Sequence, residues 1–178
     1  MKDRLKKIIA IPGSTRKFST HVNLISALAD LAAETFEITI YKGIDQLPHF
    51  NPDLDNDSSP ENVVEFRGLL KKADGILICT PEYAMGVPGT LKNALDWTVS
   101  SAEFYRKPVA LITASSQGYK GHASLMETLN IMGSNIAAET QLIIPFIKTK
   151  INEKGTIIDP LVVTEIKKLI DSFSRIVT

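Results

Sequence analysis

Residues 8–21 read Ile8-Ile9-Ala10-Ile11-Pro12-Gly13-Ser14-Thr15-Arg16-Lys17-Phe18-Ser19-Thr20-His21. The first four form an unbroken apolar run, as expected of a strand covered on both faces. Pro12 and Gly13 close that run. Beyond His21 the spacing turns helical, with Leu24, Leu28 and Leu31 on one face. The same strand–turn–helix reading repeats along the chain. Further apolar runs lie at residues 36–41 (FEITIY), 76–79 (ILIC), 109–113 (VALIT) and 141–147 (QLIIPFI). Between them, Val63, Phe66 and Leu70 share a helical face, as do Leu91, Leu95 and Thr98, then Leu125, Leu129 and Met132. Asp159 is placed to cap a last helix with Pro160 at its first position, and Val162, Ile166, Leu169 and Phe173 form its stripe.

Five strands alternating with five helices predict an α/β protein built on a parallel sheet, because parallel neighbours need crossover connections. Those crossovers are right-handed and place helices on both faces. Residues 1–178 are expected to form a single domain, since at roughly 150 residues per domain two would be cramped. There is no internal repeat. Residues 43–60, rich in Asp, Asn, Pro and Ser, form the one long irregular stretch and read equally as a mobile linker or a functional flap.

Composition excludes several classes. The chain is 44% apolar and 22% charged, and its 20 Lys and Arg balance its 20 Asp and Glu. A nucleic-acid partner would call for a basic excess, so none is expected. No apolar run approaches the ~18 residues of a membrane span. Residues 1–7 are charged and precede no small-residue cleavage site, which predicts a cytoplasmic protein with no membrane partner. Cys79 is the single cysteine, so no internal disulfide forms, and no Cys/His cluster is spaced for zinc.

Ligands of open parallel sheets bind at the carboxyl ends of the strands. In a sheet of order 2-1-3-4-5, strands 1, 3 and 4 are neighbours, so the loops that follow them line one crevice. The first loop, Gly13 to His21, suits a phosphate. Its glycine permits a tight turn, while Ser14, Thr15, Ser19 and Thr20 offer hydroxyls. The following helix contributes free N–H groups and its positive dipole end. Arg16 adds a charge-assisted donor. The plainer reading makes Ser19 a helix cap and Arg16 a solvated charge.

The loop after the third strand, Pro81-Glu82-Tyr83-Ala84-Met85-Gly86-Val87-Pro88-Gly89, presents backbone N–H groups and an apolar, aromatic surface suited to a flat heterocycle. It also reads as a plain connection with Pro88 opening a helix. The loop after the fourth, Ser115-Ser116-Gln117-Gly118-Tyr119-Lys120-Gly121, carries hydroxyls and two glycines for close backbone approach.

Competing chemistries fail residue by residue. Neither G-x-x-x-x-G-K-S/T nor G-x-G-x-x-G follows the first strand, which argues against a kinase or a dinucleotide-binding Rossmann enzyme. There is no G-x-S-x-G elbow for a serine hydrolase. A phosphatase nucleophile at Cys79 would want an arginine six positions on, where Met85 stands, so Cys79 reads as core. A receiver domain would need acidic residues where this chain has Pro12, Gly13 and Ser14. His21, His49 and His122 are scattered and read as surface or supporting residues rather than metal ligands.

Gly13-Ser14-Thr15-Arg16 through Ser19, then Pro81-Glu82-Tyr83, then Pro88-Gly89-Thr90-Leu91-Lys92-Asn93-Ala94-Leu95-Asp96-Trp97 resemble the NADPH-dependent FMN reductase family. These are flavodoxin-like proteins that include quinone, azo-dye and chromate reductases. Leu47-Pro48-His49-Phe50-Asn51-Pro52-Asp53 is similar to the family's loop after the second strand. The resemblance implies a flavodoxin-like three-layer sandwich with a five-stranded parallel sheet of order 2-1-3-4-5. It places Ser14, Arg16 and Ser19 at the FMN phosphate, with Thr20 and His21 in the same loop. Pro81, Glu82, Tyr83, Ala84 and Met85 fall beside the isoalloxazine ring, and Ser115, Gly118 and Gly121 match a third flavin-contacting loop. His21 stands where many members have Asn, and Ala84-Met85 replaces a common Asn-Gly pair.

The implied activity is oxidoreduction. NADPH or NADH delivers hydride to bound FMN, and electrons pass on to a flavin, quinone, azo compound or metal oxyanion. No catalytic side chain is required, and Glu82 is expected to be architectural. The alternative is a flavodoxin-type electron carrier without NAD(P)H turnover; Arg16 and the charge balance favour the enzyme over an acidic carrier. A flavin-binding regulator is a third class. Relatives are commonly homodimers or homotetramers. The helix at residues 91–101, with Trp97 and then Phe104 and Tyr105, is a candidate contact, unless Trp97 packs into the chain's own core.

Overall fold

The computed structural model describes residues 4–16, 19–152 and 154–177. The five apolar runs form β1 (Lys6–Pro12), β2 (Phe36–Ile40), β3 (Gly75–Thr80), β4 (Val109–Ser115) and β5 (Gln141–Pro145). They pair in parallel in the order β2-β1-β3-β4-β5, as expected. The connecting helices are α1 (Thr20–Leu31), α2 (Glu61–Lys72), α3 (Gly89–Asp96), α4 (Tyr119–Ile131) and α5 (Pro160–Ile176).

Strand residues alternate between faces, and this splits the core in two. Ile8, Ala10, Leu77 and Ile112 pack with Leu24 and Leu28 of α1 and Ile166 and Leu169 of α5. Ile9, Ile11, Ile76 and Leu111 face α2, α3 and α4 through Phe66, Leu91 and Leu125. The result is a three-layer sandwich with helices on both faces. Every residue of β3 and β4 is buried, whereas edge strand β2 alternates. Asp159 caps α5, accepting the Leu161 N–H at 2.9 Å. Among the described residues, no helix is long and apolar enough to cross a membrane.

Five details refine or correct the sequence expectations. Leu31 is 38% exposed, because Ile25 and Ala32 complete the buried stripe of α1 instead. α3 ends at Asp96, and Thr98 is buried in the turn beyond it, its hydroxyl donating to the Leu95 carbonyl at 2.7 Å. β5 stops at Pro145, since Phe146 takes a left-handed conformation that ends the strand and leads into the 3-10 turn Ile147–Thr149. The stretch at residues 43–60 is anchored rather than free. Asn93 accepts the Phe50 N–H at 2.7 Å and donates to the Pro48 carbonyl at 3.0 Å, and Trp97 Nε1 donates to that carbonyl at 2.8 Å. Arg67 adds an ion pair to Asp55 at 2.7 Å and a bond to the Trp97 carbonyl at 2.7 Å. Trp97 and Phe104 are both fully buried in the chain's own core, which removes them as contact residues.

Candidate functional site

Register brings the special loops level with one another. Pro12 pairs with Cys79, Cys79 with Ile112, and Ser115 with Pro145. The chain therefore leaves β1, β3, β4 and β5 along one rim. At β1 the loop is drawn against β3: Gly13 N–H donates to the Cys79 carbonyl at 2.8 Å. A Cβ at Gly13 would lie 2.2 Å from Thr80 Oγ1, so only glycine fits this approach.

A cavity of about 410 Å³ opens on this rim. Of the residues expected from sequence, Ser14, Arg16, Ser19, Thr20, His21, Pro81, Glu82, Tyr83 and Ser115 line it. Its chemistry is that of a donor-rich cradle. The buried Ser14 and Ser19 hydroxyls accept the N–H groups of Arg16 (3.4 Å) and His21 (3.3 Å), which leaves each O–H proton for a further acceptor. α1 begins here with no acidic side chain in its first turn. A phosphate offers acceptors only, so hydroxyls, helix-end N–H groups and the Arg16 guanidinium match it. Pro81 and Tyr83 supply the apolar wall that a flat ring requires.

His21 and Glu82 hold this cradle together. The His21 ring is buried, with Nε2 2.7 Å from the Ala114 carbonyl. A carbonyl only accepts, so Nε2 carries the proton and donates. Burial pushes the His21 pKa below its usual 6.5, and the nearby Arg16 charge pushes the same way against that hydrogen bond. His21 is therefore a neutral strut from α1 to the end of β4. Glu82 accepts the Gly121 N–H at 2.6 Å, tying the β3 loop to the start of α4.

Ala84, Met85, Gly118 and Gly121 do not line the cavity. Ala84 and Met85 form the tip of a turn in which Tyr83 and Gly86 exchange N–H···O bonds, both 2.9 Å. Gly118 caps α4 at φ 98, a left-handed position. A Cβ on Gly121 would come within 2.8 Å of the Gly86 carbonyl, so the bare backbone lets the two loops touch. Gly118 and Gly121 thus set how the loops meet, whereas Ala84 and Met85 are exposed at the turn tip. Cys79 is wholly buried, which raises its thiol pKa and leaves it inert core.

The structure adds a wall that reading the first, third and fourth loops missed. Phe146, Ile147, Lys148 and Thr149, after β5, also line the cavity, together with Ala114 and Ser116. The rule of strand carboxyl ends reaches this turn too, but the apolar run at residues 141–147 read as unbroken strand and hid it.

Fold and cradle together define a flavodoxin-like nucleotide-binding protein. The sequence matches NADPH-dependent FMN reductase over residues 6–149, and the chain belongs to that family. It is thus an oxidoreductase of NAD(P)H and FMN. It is similar to an NADPH azoreductase of Bacillus sp. (strain OY1-2), 32% identical over 92% of this chain and 90% of that one. An NADPH:quinone oxidoreductase of Arabidopsis thaliana is 37% identical over 67% of this chain and 63% of that one. Among solved structures, the flavoenzyme NAD(P)H:(acceptor) oxidoreductase FerB of Paracoccus denitrificans superposes with a TM-score of 0.86, at 27% identity over 97% of both chains.

Proposed function

We propose that residues 1–178 act as a single FMN-binding domain that passes electrons from NADPH or NADH to a small aromatic acceptor, a quinone or an azo compound. The observation that carries this reading is one cavity with phosphate-type donors at α1 and an apolar wall at β3. Ser14, Arg16, Ser19 and Thr20 are assigned to the phosphate. Pro81, Tyr83 and Ser115 are assigned to the ring, with Glu82 and His21 holding the loops and Ala84, Met85, Gly118 and Gly121 supporting them. When bound, FMN supplies hydride acceptance from the nucleotide and reduction of the second substrate. The relatives' azo-dye and quinone activities support the acceptor class.

The test is anaerobic. Protein loaded with FMN loses its flavin absorbance near ~450 nm on addition of NADPH or NADH and regains it with a quinone or azo dye. No bleaching by either nucleotide refutes the reductase reading, and an acceptor panel under steady state ranks the substrates.

We further propose a cytoplasmic homodimer or homotetramer. Val99, Tyr105 and Ile131 are 61%, 59% and 87% exposed. They line one depression of about 350 Å³ on the α3–α4 side, an apolar surface of the kind that marks an interface. Ile131→Glu is expected to shift the particle mass in light scattering toward the monomer; an unchanged mass places the contact elsewhere.

A further inference from the structure

Phe146 stands apart from the other cavity residues. Its backbone is left-handed, at φ 54 and ψ 38. Hydrogen bonds hold it there from three directions. Its N–H donates to the Ser116 carbonyl at 3.2 Å, and its own carbonyl accepts from Thr149 N at 2.9 Å and Thr149 Oγ1 at 2.9 Å. Glycine or asparagine would adopt this conformation with less strain than a bulky aromatic residue. The side chain gains little from the core in return, since Phe146 is 62% exposed. Neither backbone preference nor core packing accounts for a phenylalanine at this position. Its one constructive placement is that it lines the cavity.

We infer that Phe146 is the β5-side wall of the cofactor site and that its ring packs on the flat ring system of the bound flavin. This rests on the proposed function above. Phe146 and Tyr83 border one cavity from β5 and β3, the strands on either side of β4. Two strand spacings separate those strands by roughly 10 Å. Aromatic partners sit about 4.5–7 Å apart between centroids, so that span admits a single planar layer between two walls. The bond from Phe146 N–H to Ser116 also fixes this wall to the loop assigned to the ring. Strain in such a turn persists where the surroundings over-determine it, and that pre-organises the side chain before ligand arrives.

Titration of the apoprotein with FMN and with riboflavin, followed by flavin fluorescence, tests the assignment without turnover. Phe146→Gly removes the ring in a conformation glycine accepts. It is expected to raise the Kd of both flavins about tenfold, the equivalent of 1.4 kcal/mol and one lost ring contact. Its melting temperature without flavin is expected to stay at or above that of the parent, and Phe146→Tyr is expected to keep Kd within about twofold of it. Phe146→Asn, also tolerant of the left-handed conformation, serves if the glycine variant does not fold. An unchanged Kd for both flavins overturns the inference. So does a loss confined to FMN, which would place the turn at the phosphate, near Lys148, instead. A parent protein that binds neither flavin would overturn the proposed function as well, whereas tight parent binding with an unaffected variant overturns this inference alone.

Discussion

Replacing Met85 by glycine is expected to stabilise the protein. Tyr83 and Gly86 close a two-residue turn with reciprocal bonds of 2.9 Å, and its central residues are left-handed, Ala84 at φ 48 and Met85 at φ 62. That is the type I′ pattern, for which Asn-Gly is the favoured pair. A side chain in the left-handed region costs about 1–2 kcal/mol, which Met85→Gly removes. Against this, glycine adds roughly 0.5–1 kcal/mol of chain entropy to the unfolded state. The lost packing is small, because Met85 is 74% exposed. Burying about a quarter of a side chain worth ~1.5–3 kcal/mol amounts to about 0.5 kcal/mol. At the middle of these ranges the balance is a gain of about 0.3 kcal/mol, reaching ~1 kcal/mol where the strain is at its upper end and the entropy cost at its lower. At roughly 2–4 °C per kcal/mol for a chain of this size, the melting temperature rises by about 1–4 °C. Thermal and urea unfolding of the flavin-free protein, followed by circular dichroism, measure this, with Met85→Ala as control. Alanine keeps the Cβ that causes the strain, so it is expected to gain nothing. A melting temperature that falls in Met85→Gly, or rises equally in Met85→Ala, refutes the reasoning.

Three further outcomes follow from the same geometry. Arg16→Ala is expected to weaken FMN binding by about 1–3 kcal/mol, as for loss of a hydrogen bond to a charged group, and to leave riboflavin unaffected; calorimetry on both flavins decides it. Gly121→Ala would place a methyl 2.8 Å from the Gly86 carbonyl and 3.1 Å from Glu82 Cγ, prying the β3 loop from α4. The expected cost is about 1–3 kcal/mol in urea unfolding, and a neutral result would show that the loops yield freely. Burial lowers the pKa of His21 and also that of His122, whose Nδ1 lies 2.9 Å from Thr113 Oγ1. The unfolded chain therefore binds more protons below about pH 6.5, so stability is full above that pH and declines as pH falls beneath it. Melting curves between pH 7.5 and 5.5 are expected to show this fall, reduced in His122→Gln; an identical slope in the variant would exclude His122 as a source.

Strand positions, faces and the α1 cradle were legible because each depends on residue spacing, whereas the strand order followed from the family resemblance. Alternation along Ile8, Ile9, Ala10 and Ile11 assigns side chains to opposite faces whatever packs there. Ser14 to His21 follow a glycine at a strand end, a context with few structural uses. What escaped depends on tertiary contact. Nothing in the identity of Phe146 announces a left-handed backbone, so β5 read two residues too long and its turn was passed over. Trp97 read equally as surface or core until Pro48 appeared as the partner of its indole N–H at 2.8 Å. Ala84, Met85, Gly118 and Gly121 lie on the expected loops, but spacing does not say which side of a loop faces the cavity.

The charge balance illustrates the same limit from the opposite direction. A chain with no net charge gives no reason to look for an anion site, yet the cavity is locally electropositive. Arg16 and Lys148 border it, and among the described residues neither is ion-paired with a carboxylate. Among the described residues, Glu82 is the only acidic one lining it, and one of its carboxylate oxygens is already bound by the Gly121 N–H. The remaining attraction comes from the N-terminus of α1, whose partial charge belongs to the backbone and enters no residue count. A site built on helix-end N–H groups and hydroxyls holds a phosphate through short-range directed bonds, with little long-range field. Zero net charge is therefore compatible with tight binding of a phosphate-bearing cofactor, and it disfavours only partners recognised through an extended array of charges.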